Sequence, residues 1–273
     1  MEYEIKPEKK LSLNLKELWD FKELFYFFTW RDIKVKYKQT LLGLLWAILQ
    51  PALMMVIFTF FFGKFLDAEH KVNVPYPVFV YTGLMFWNIF SNGLQNAGNS
   101  MVSNANIIKK VYFPRLIIPL SSVLVSLFDF VMTIVLYVVL IIFYQVDISW
   151  FRLILFFPLA LIITLLTTFG LGTFLAALNI KFRDFRYVIP FLVQMLLFVT
   201  PVIYPVNIIK NEILQFLLNM NPLNATMILA RSVIDSSAIE WEQVFVGLLF
   251  SLLWLLIGVV YFKKTEAYFA DLA

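Results

Sequence analysis

Long uncharged apolar runs alternate with short basic segments through most of this chain. A helix that crosses a bilayer needs roughly 20 predominantly apolar residues, because the hydrocarbon layer is about 30 Å thick. Six stretches meet that requirement: 39–63, a second that starts at Val78 and meets no charge until Lys109, 116–143, 153–178, 187–203 and 244–262. Asp129 is the one charge inside the third stretch. The pattern predicts an all-α integral membrane protein with six transmembrane helices.

Lysine and arginine set the orientation, because cytoplasmic loops carry the excess of both. With the amino terminus inside, 17 of them lie on the cytoplasmic side and 5 on the other. The inner clusters are 6–38, Lys109 to Arg115, Lys181 to Arg186 and Lys263 with Lys264. Both ends of the chain are therefore expected in the cytoplasm. The first apolar run begins near Gln39, too deep for a cleavable leader, and is expected to remain as an anchor.

The segment ahead of that run reads as an amphipathic helix. Asn14 with Glu17, and Thr29 with Asp32, have the spacing of capping boxes. Leu15, Leu18, Trp19, Phe21, Phe25, Tyr26 and Phe28 spread over one broad face, with Lys16, Glu17, Asp20 and Glu23 opposite. Too charged to span, the helix is expected in the cytoplasmic interface; a helix packed on a soluble partner is the alternative. Between the fifth and sixth runs, 204–242 holds two short apolar pieces, 213–220 and 226–234, separated by Asn221-Pro222. Their length suits a re-entrant helical hairpin in the outer leaflet. With no internal repeat, 1–273 reads as one domain: an amphipathic region 1–38, a six-helix membrane domain 39–262 and a cytoplasmic tail 263–273.

Composition agrees with lipid as the solvent. Of 273 residues, 61% are hydrophobic and 15% charged, against about 45–50% and about 25% in soluble domains. Cysteine is absent and His70 is the single histidine, which leaves no thiolate chemistry and no His/Cys metal site. No glycine-rich phosphate loop of the G-x-x-x-x-G-K-[ST] form occurs, nor H-E-x-x-H or G-x-S-x-G, so an intrinsic catalytic activity has little support.

The informative residues are polar ones within apolar runs. Asn88, Asn92, Gln95, Asn96, Asn99, Ser103 and Asn106 fall within an arc of roughly 80–100° on a helix. Amides in lipid are costly without partners, so the stripe faces other helices or water, unless its lower half simply emerges into the cytoplasm. Asp129, with Ser122, Ser126 and Thr133 on its face, has no evident intramembrane cation. It reads either as a functional acid or as a hydrogen-bond anchor between helices. Aromatics make up 18% of the chain; most are expected at lipid, while a minority, among them Trp46, Phe58, Phe61, Phe198 and Tyr204, are candidates with Gln50 for lining a sugar-handling path.

Tyr37 through Pro51, reading YKQTLLGLLWAILQP, resembles the first-span signature of type-two ABC exporter permeases for cell-surface polysaccharides, the O-antigen, capsule and teichoic acid exporters. Asn179-Ile-Lys-Phe-Arg-Asp-Phe-Arg186, Thr200-Pro201-Val202-Ile203-Tyr204 and Asn221-Pro222 fit the same group. Gln50 departs from the apolar or aromatic residue many relatives carry. The resemblance covers nearly the whole chain and says little about which polymer is moved. It implies a homodimeric channel for lipid-linked polysaccharide in a bacterial inner membrane, with two copies of a separate ATPase subunit binding ATP and magnesium. It also implies a coupling helix at 104–115, with Asn106, Lys109, Lys110, Tyr112, Phe113 and Arg115 as contacts, and gating helices in the external hairpin. An anionic pyrophosphate would be drawn in by Arg31, Lys34, Lys36 and Lys38. Three rival readings are a drug exporter of the same superfamily, a membrane-embedded glycosyltransferase and a proton-coupled transporter using Asp129.

Overall fold

The computed structural model describes residues 15–38, 43–65, 68–206, 209, 211–235 and 238–266. Among them, α1 (Leu15–Asp20) and α2 (Lys22–Tyr37) precede α3 (Leu45–Phe58). The last runs on into a π-helical stretch, Thr59–Phe65. A short 3-10 turn, Glu69–Lys71, leads into α4 (Tyr76–Ser103) and α5 (Ala105–Ile108). Then follow α6 (Ile117–Tyr144), α7 (Trp150–Lys181), α8 (Phe185–Val199), α9 (Glu212–Asn219), α10 (Pro222–Arg231) and α11 (Trp241–Thr265). No strand occurs among the described residues.

Among the described residues, four helices are long and apolar enough to cross a membrane: Leu45–Lys64, Ile117–Tyr144, Trp150–Lys181 and Trp241–Thr265. The pair α9 and α10 together meet the same standard but are bent by 86°. Two expected spans fall short of it, each for a visible reason. The 28 residues of α4 are long enough, but its amides lower its apolarity. The 15 residues of α8 stop at Thr200, whose extended backbone is what a following proline favours, here Pro201.

α4 forms the centre. It packs against α6 and α7 along its length and touches α3, α8 and α10. Tyr81, Leu84, Met85, Phe86, Ile89, Phe90 and Leu94 are fully buried there. Prolines are accommodated within α3, α7 and α8 at Pro51, Pro158 and Pro190.

The long pair α7 and α11 meets through bare backbone. A Cβ on Gly258 would sit 1.9 Å from the Gly170 carbonyl oxygen. Small residues let membrane helices approach this closely and gain dispersion contacts that lipid cannot replace.

A second apolar cluster lies at the end of the bundle that carries the basic loops. Phe28 of α2, Met101, Ile108, Phe113, Leu116 and Phe262 are buried together in it. The predicted amphipathic face of α1 and α2 is thereby divided. Leu18, Phe21, Leu24 and Phe25 pack around this cluster, whereas Trp19 and Tyr26 are exposed. The expected helix start at Thr29 is corrected: α2 runs straight through it. In a helix interior the hydroxyl finds the carbonyl one turn back, and Thr29 Oγ1 donates to the Phe25 oxygen at 2.9 Å. Asn14 lies outside the described residues.

Across the bundle, the 86° bend between α9 and α10 is built by capping. Asn211 accepts from the backbone of Ile213 and Leu214 at the start of α9. Asn221 accepts from Leu223 N at 3.0 Å and donates to Thr200 Oγ1 at 2.9 Å, so one side chain starts α10 and ties it to the end of α8. Asn followed by Pro at the first helical position is the sequence form of this start.

Candidate functional site

The amide stripe of α4 faces open space on one side of the bundle. Asn88, Asn92, Gln95 and Asn99 are half-buried and Asn96, Ser103 and Asn106 exposed, while the opposite face of the helix is core. Back-bonding partly satisfies them: Gln95 Nε2 donates to the Ser91 oxygen at 3.2 Å and Asn99 Nδ2 to the Gln95 oxygen at 2.9 Å. The remaining amide groups point into two cavities.

The larger is a groove of about 810 Å³, walled by Arg31, Lys36, Gln95, Asn96, Asn99 and Asn106 among others. The smaller, about 70 Å³, is lined by Trp46, Gln50, Asn88, Asn92, Asp129 and Thr133 with Lys36 and Tyr37. Six sequence candidates on four helices thus converge on one pocket: Lys36 from α2, Trp46 and Gln50 from α3, Asn88 and Asn92 from α4, and Asp129 from α6.

Asp129 is 6% exposed, and the absence of a cation partner read from the sequence is corrected here. Lys36 Nζ forms an ion pair with Asp129 Oδ2, and the Tyr37 hydroxyl donates to Oδ1. Both partners come from the last turn of α2, 93 and 92 residues earlier in the chain. Burial, and after it the hydrogen bond and charge of Asp129, hold the Tyr37 hydroxyl protonated above its ordinary range. A carboxylate at this depth is tolerated when paired and hydrogen-bonded, and Asp129 is both.

The other basic candidates divide. Arg31 pairs with Asp32 at 2.7 Å and donates to Asn104 Oδ1 at 2.8 Å, joining α2 to the end of α4. Lys34 lies over the Trp30 ring at 5.3 Å. With Phe27, Trp30 and Arg31, Lys34 and Lys38 line an outer cavity of about 400 Å³.

In the loop after α4, Tyr112 is 76% exposed and Val111 is exposed as well. Lys109 and Lys110 stand beside them at the surface. Phe113, expected at the same surface, is 4% exposed, its ring 5.6 Å from Phe28. Arg115 is turned to the end of α11, where it donates to Glu266. The exposed part of this loop is therefore Asn106 and Lys109 through Tyr112, and Val111 is an addition to the sequence reading.

Not every aromatic candidate joins the pocket. Phe58 is buried in the core beside Phe62. Phe61 and Phe198 are exposed on the outer faces of the bundle. Tyr204 donates to the Phe198 oxygen at 3.0 Å, and burial raises its hydroxyl above the ordinary value.

Three polar residues carry structure that sequence reasoning did not assign. Asn179 donates to the Gly98 oxygen at 2.9 Å and to Asn99 Oδ1 at 3.0 Å, fastening α7 to the back of the stripe. Asn104 closes α4 by donating to the Ser100 oxygen. Arg231 of α10 donates to the carbonyls of Pro201 and Val202 at 2.8 and 2.5 Å and stacks 3.6 Å from the Phe79 ring centre. Asn179 was visible only as part of a motif; the pairing of Arg231, like that of Asn104 with Arg31, is long-range and leaves no local signal.

Residues 23–234, which hold the groove, the pocket and the bent hairpin, match the family of ABC-2 type transporters. The chain belongs to that family. Among curated ABC-2 relatives, the O-antigen export system permease protein RfbA of Klebsiella pneumoniae is 30% identical over 266 residues, covering 96% of this chain and 98% of that protein. RfbA of Myxococcus xanthus is 31% identical over 215 residues, 78% of this chain and 80% of its own length. The polysialic acid transport protein KpsM of Escherichia coli is 26% identical over 241 residues, 86% and 91% of the two chains. The similarity to the first of these ABC-2 proteins is thus end to end.

Proposed function

We propose that this chain is the membrane-spanning subunit of an ATP-driven exporter that moves a lipid-linked polysaccharide, O-antigen-like or teichoic acid-like, from the cytoplasmic to the outer leaflet. The observation that carries the reading is the one-sided polar stripe of α4. It opens on a groove of about 810 Å³ in a bundle otherwise suited to lipid. Exchangeable amide and hydroxyl contacts hold a hydroxyl-rich chain without a deep well, which a conducting path requires. End-to-end similarity to O-antigen export permeases supports the substrate class.

In this reading the membrane is crossed six times, with α4 and α8 as the second and fifth spans beside the four apolar helices. α9 and α10 form a re-entrant hairpin in the outer leaflet. α1 and the start of α2 lie in the cytoplasmic interface, with the exposed Trp19, Tyr26 and Trp30 in the headgroup layer, and the end of α2 rises along α6 to Asp129. Both termini are cytoplasmic in a bacterial inner membrane, an orientation that the bias of the basic loops supports. Two copies of the chain form the channel through the exposed faces of α3 and α8, where Trp46, Phe61 and Phe198 stand outward. Two copies of a cytoplasmic ATPase supply ATP and magnesium and press on Asn106 through Tyr112. Phe113, packed on Phe28, passes that push to α2, while Leu116 carries it into α6.

Reconstitution into vesicles with the copurified ATPase and an undecaprenyl-linked glycan tests the reading. ATP-dependent appearance of glycan on the far leaflet is expected. Efflux of hydrophobic dyes without glycolipid movement, or glycolipid movement against its gradient without the ATPase, would overturn it.

A further inference from the structure

Lys36 lines both the large groove and the small pocket, and among the described residues it is the single side chain common to the two. The amides of α4 continue on either side of it: Gln95, Asn96 and Asn99 in the groove, Asn88 and Asn92 in the pocket. The ion pair from Lys36 to Asp129 therefore crosses a polar path that α4 presents without a break. We propose that this pair is an exchangeable bar. It closes the path until an anionic group of the substrate takes Lys36 from Asp129. The proposal deepens the transport reading and rests on it for the identity of the traffic.

The chemistry favours an anion as the key. A buried ion pair that loses one partner leaves an uncompensated charge, so a neutral sugar arriving at Lys36 offers the ammonium no replacement charge and leaves the pair closed. A phosphate or diphosphate offers the ammonium a replacement charge of equal sign. Asp129 is not left bare when Lys36 leaves, because the Tyr37 hydroxyl donates to its other oxygen. Lys36 has the means to move: its side chain is 39% exposed while that of Asp129 is 8% exposed. The ammonium thus swings from a fixed carboxylate toward the open groove. At about 70 Å³ the pocket behind the bar has room for water rather than a sugar ring. An anionic lipid headgroup would then lead and the uncharged polymer would follow through the opened bar.

Cysteine is absent from the chain, so single reporters read the bar cleanly. Asn88→Cys reports from behind it and Asn96→Cys from the groove. Both are exposed, in inside-out membrane vesicles, to an impermeant maleimide with a neutral polyhydroxyl group, which removes bias from the charge of Lys36. With Lys36 and Asp129 intact, the reporter at position 88 reacts slowly and that at position 96 fast. Lys36→Met or Asp129→Asn should raise the rate at position 88 on the order of tenfold or more, with position 96 unchanged. The exchanged pair, Lys36→Asp with Asp129→Lys, should restore protection, which separates an ion pair from mere bulk or misfolding. Inorganic pyrophosphate should accelerate labelling at position 88 with Lys36 present and have no effect in Lys36→Met. Equal rates at position 88 with and without Lys36 overturn the bar; pyrophosphate without effect on the intact pair overturns the exchange. Neither measurement needs an ATPase or glycan movement, so a chain that exported nothing would still report on its bar.

Discussion

Replacing Arg231 by Met removes a side chain that ties α10 to the turn after α8 by two hydrogen bonds. The guanidinium donates to the Pro201 and Val202 oxygens at 2.8 and 2.5 Å and lies 3.6 Å from the Phe79 ring centre. Hydrogen bonds from a charged donor are worth about 1.5–3 kcal/mol each, and a desolvated cation over an aromatic face adds about 2 kcal/mol. Removing the charge also returns its burial cost, several kcal/mol in a dry site, so these gains are largely offset. What remains is chiefly the cost of leaving two carbonyls short of a donor. We expect a net loss of about 3 kcal/mol, confined to the hairpin. Hydrogen exchange in nanodiscs reads it: peptides covering 199–206 and 222–235 should exchange about a hundredfold faster, with α4 and α7 unchanged. Arg231→Lys should fall between, since a point charge cannot serve two carbonyls and a ring together. Exchange in the hairpin within about threefold of the parent, or an increase spread equally over the bundle, would refute the argument.

Gly258→Ala places a methyl 1.9 Å from the Gly170 oxygen and should separate α7 from α11; thermal unfolding in detergent should register about 1–3 kcal/mol or more. Asn179→Leu removes the donor to Gly98 and Asn99, and should cost about 1–2 kcal/mol by the same measurement. Tyr112→Ala, at a 76% exposed position, should leave stability within about 0.5 kcal/mol but weaken capture of the ATPase in pull-downs. Phe113→Ala should do the reverse first: it opens a cavity beside Phe28 and should destabilise by about 3–5 kcal/mol.

How far the sequence reaches depends on the range of the interaction. Runs of 20 or more apolar residues announce helices by composition alone, so Ile117–Tyr144, Trp150–Lys181 and Trp241–Thr265 lie close to the predicted runs. The stripe from Asn88 to Asn106 was legible because helical periodicity is local. So was the break at Asn221-Pro222, where cap and proline stand side by side. Asp129 was legible as an anomaly but not as half of a pair, because Lys36 belongs to a different segment and reaches it only when α2 lies along α6. The same limit put Phe113 and Arg115 on a surface: their partners, Phe28 and Glu266, come from near the two ends of the chain. Thr29 shows the opposite error. A capping spacing is only a local option, and an uninterrupted helix from Lys22 offered its hydroxyl a nearer acceptor.

Among α3, α4, α6, α7, α8 and α11, α4 is the helix whose composition fits a membrane least well and whose burial is most complete. The two facts have one cause. A helix carrying amides on one face cannot present that face to lipid, so neighbours must supply either partners or water along its whole length. α6 and α7 enclose the apolar side, Asn179 meets Asn99 from behind, and α2 and α3 stand off from the stripe to leave the groove. The end of α2 is then the natural place for control. It is the element that touches the second apolar cluster through Phe28 and the mid-bundle acid through Lys36 and Tyr37. One helix of 16 residues thus joins the loop around Phe113 to Asp129. If that lever operates, a helix-breaking Gly-Gly replacement of Ile33 and Lys34 should leave hydrolysis by the partner intact while abolishing transport. Transport that persisted with the helix interrupted would mean the push travels through α6 alone.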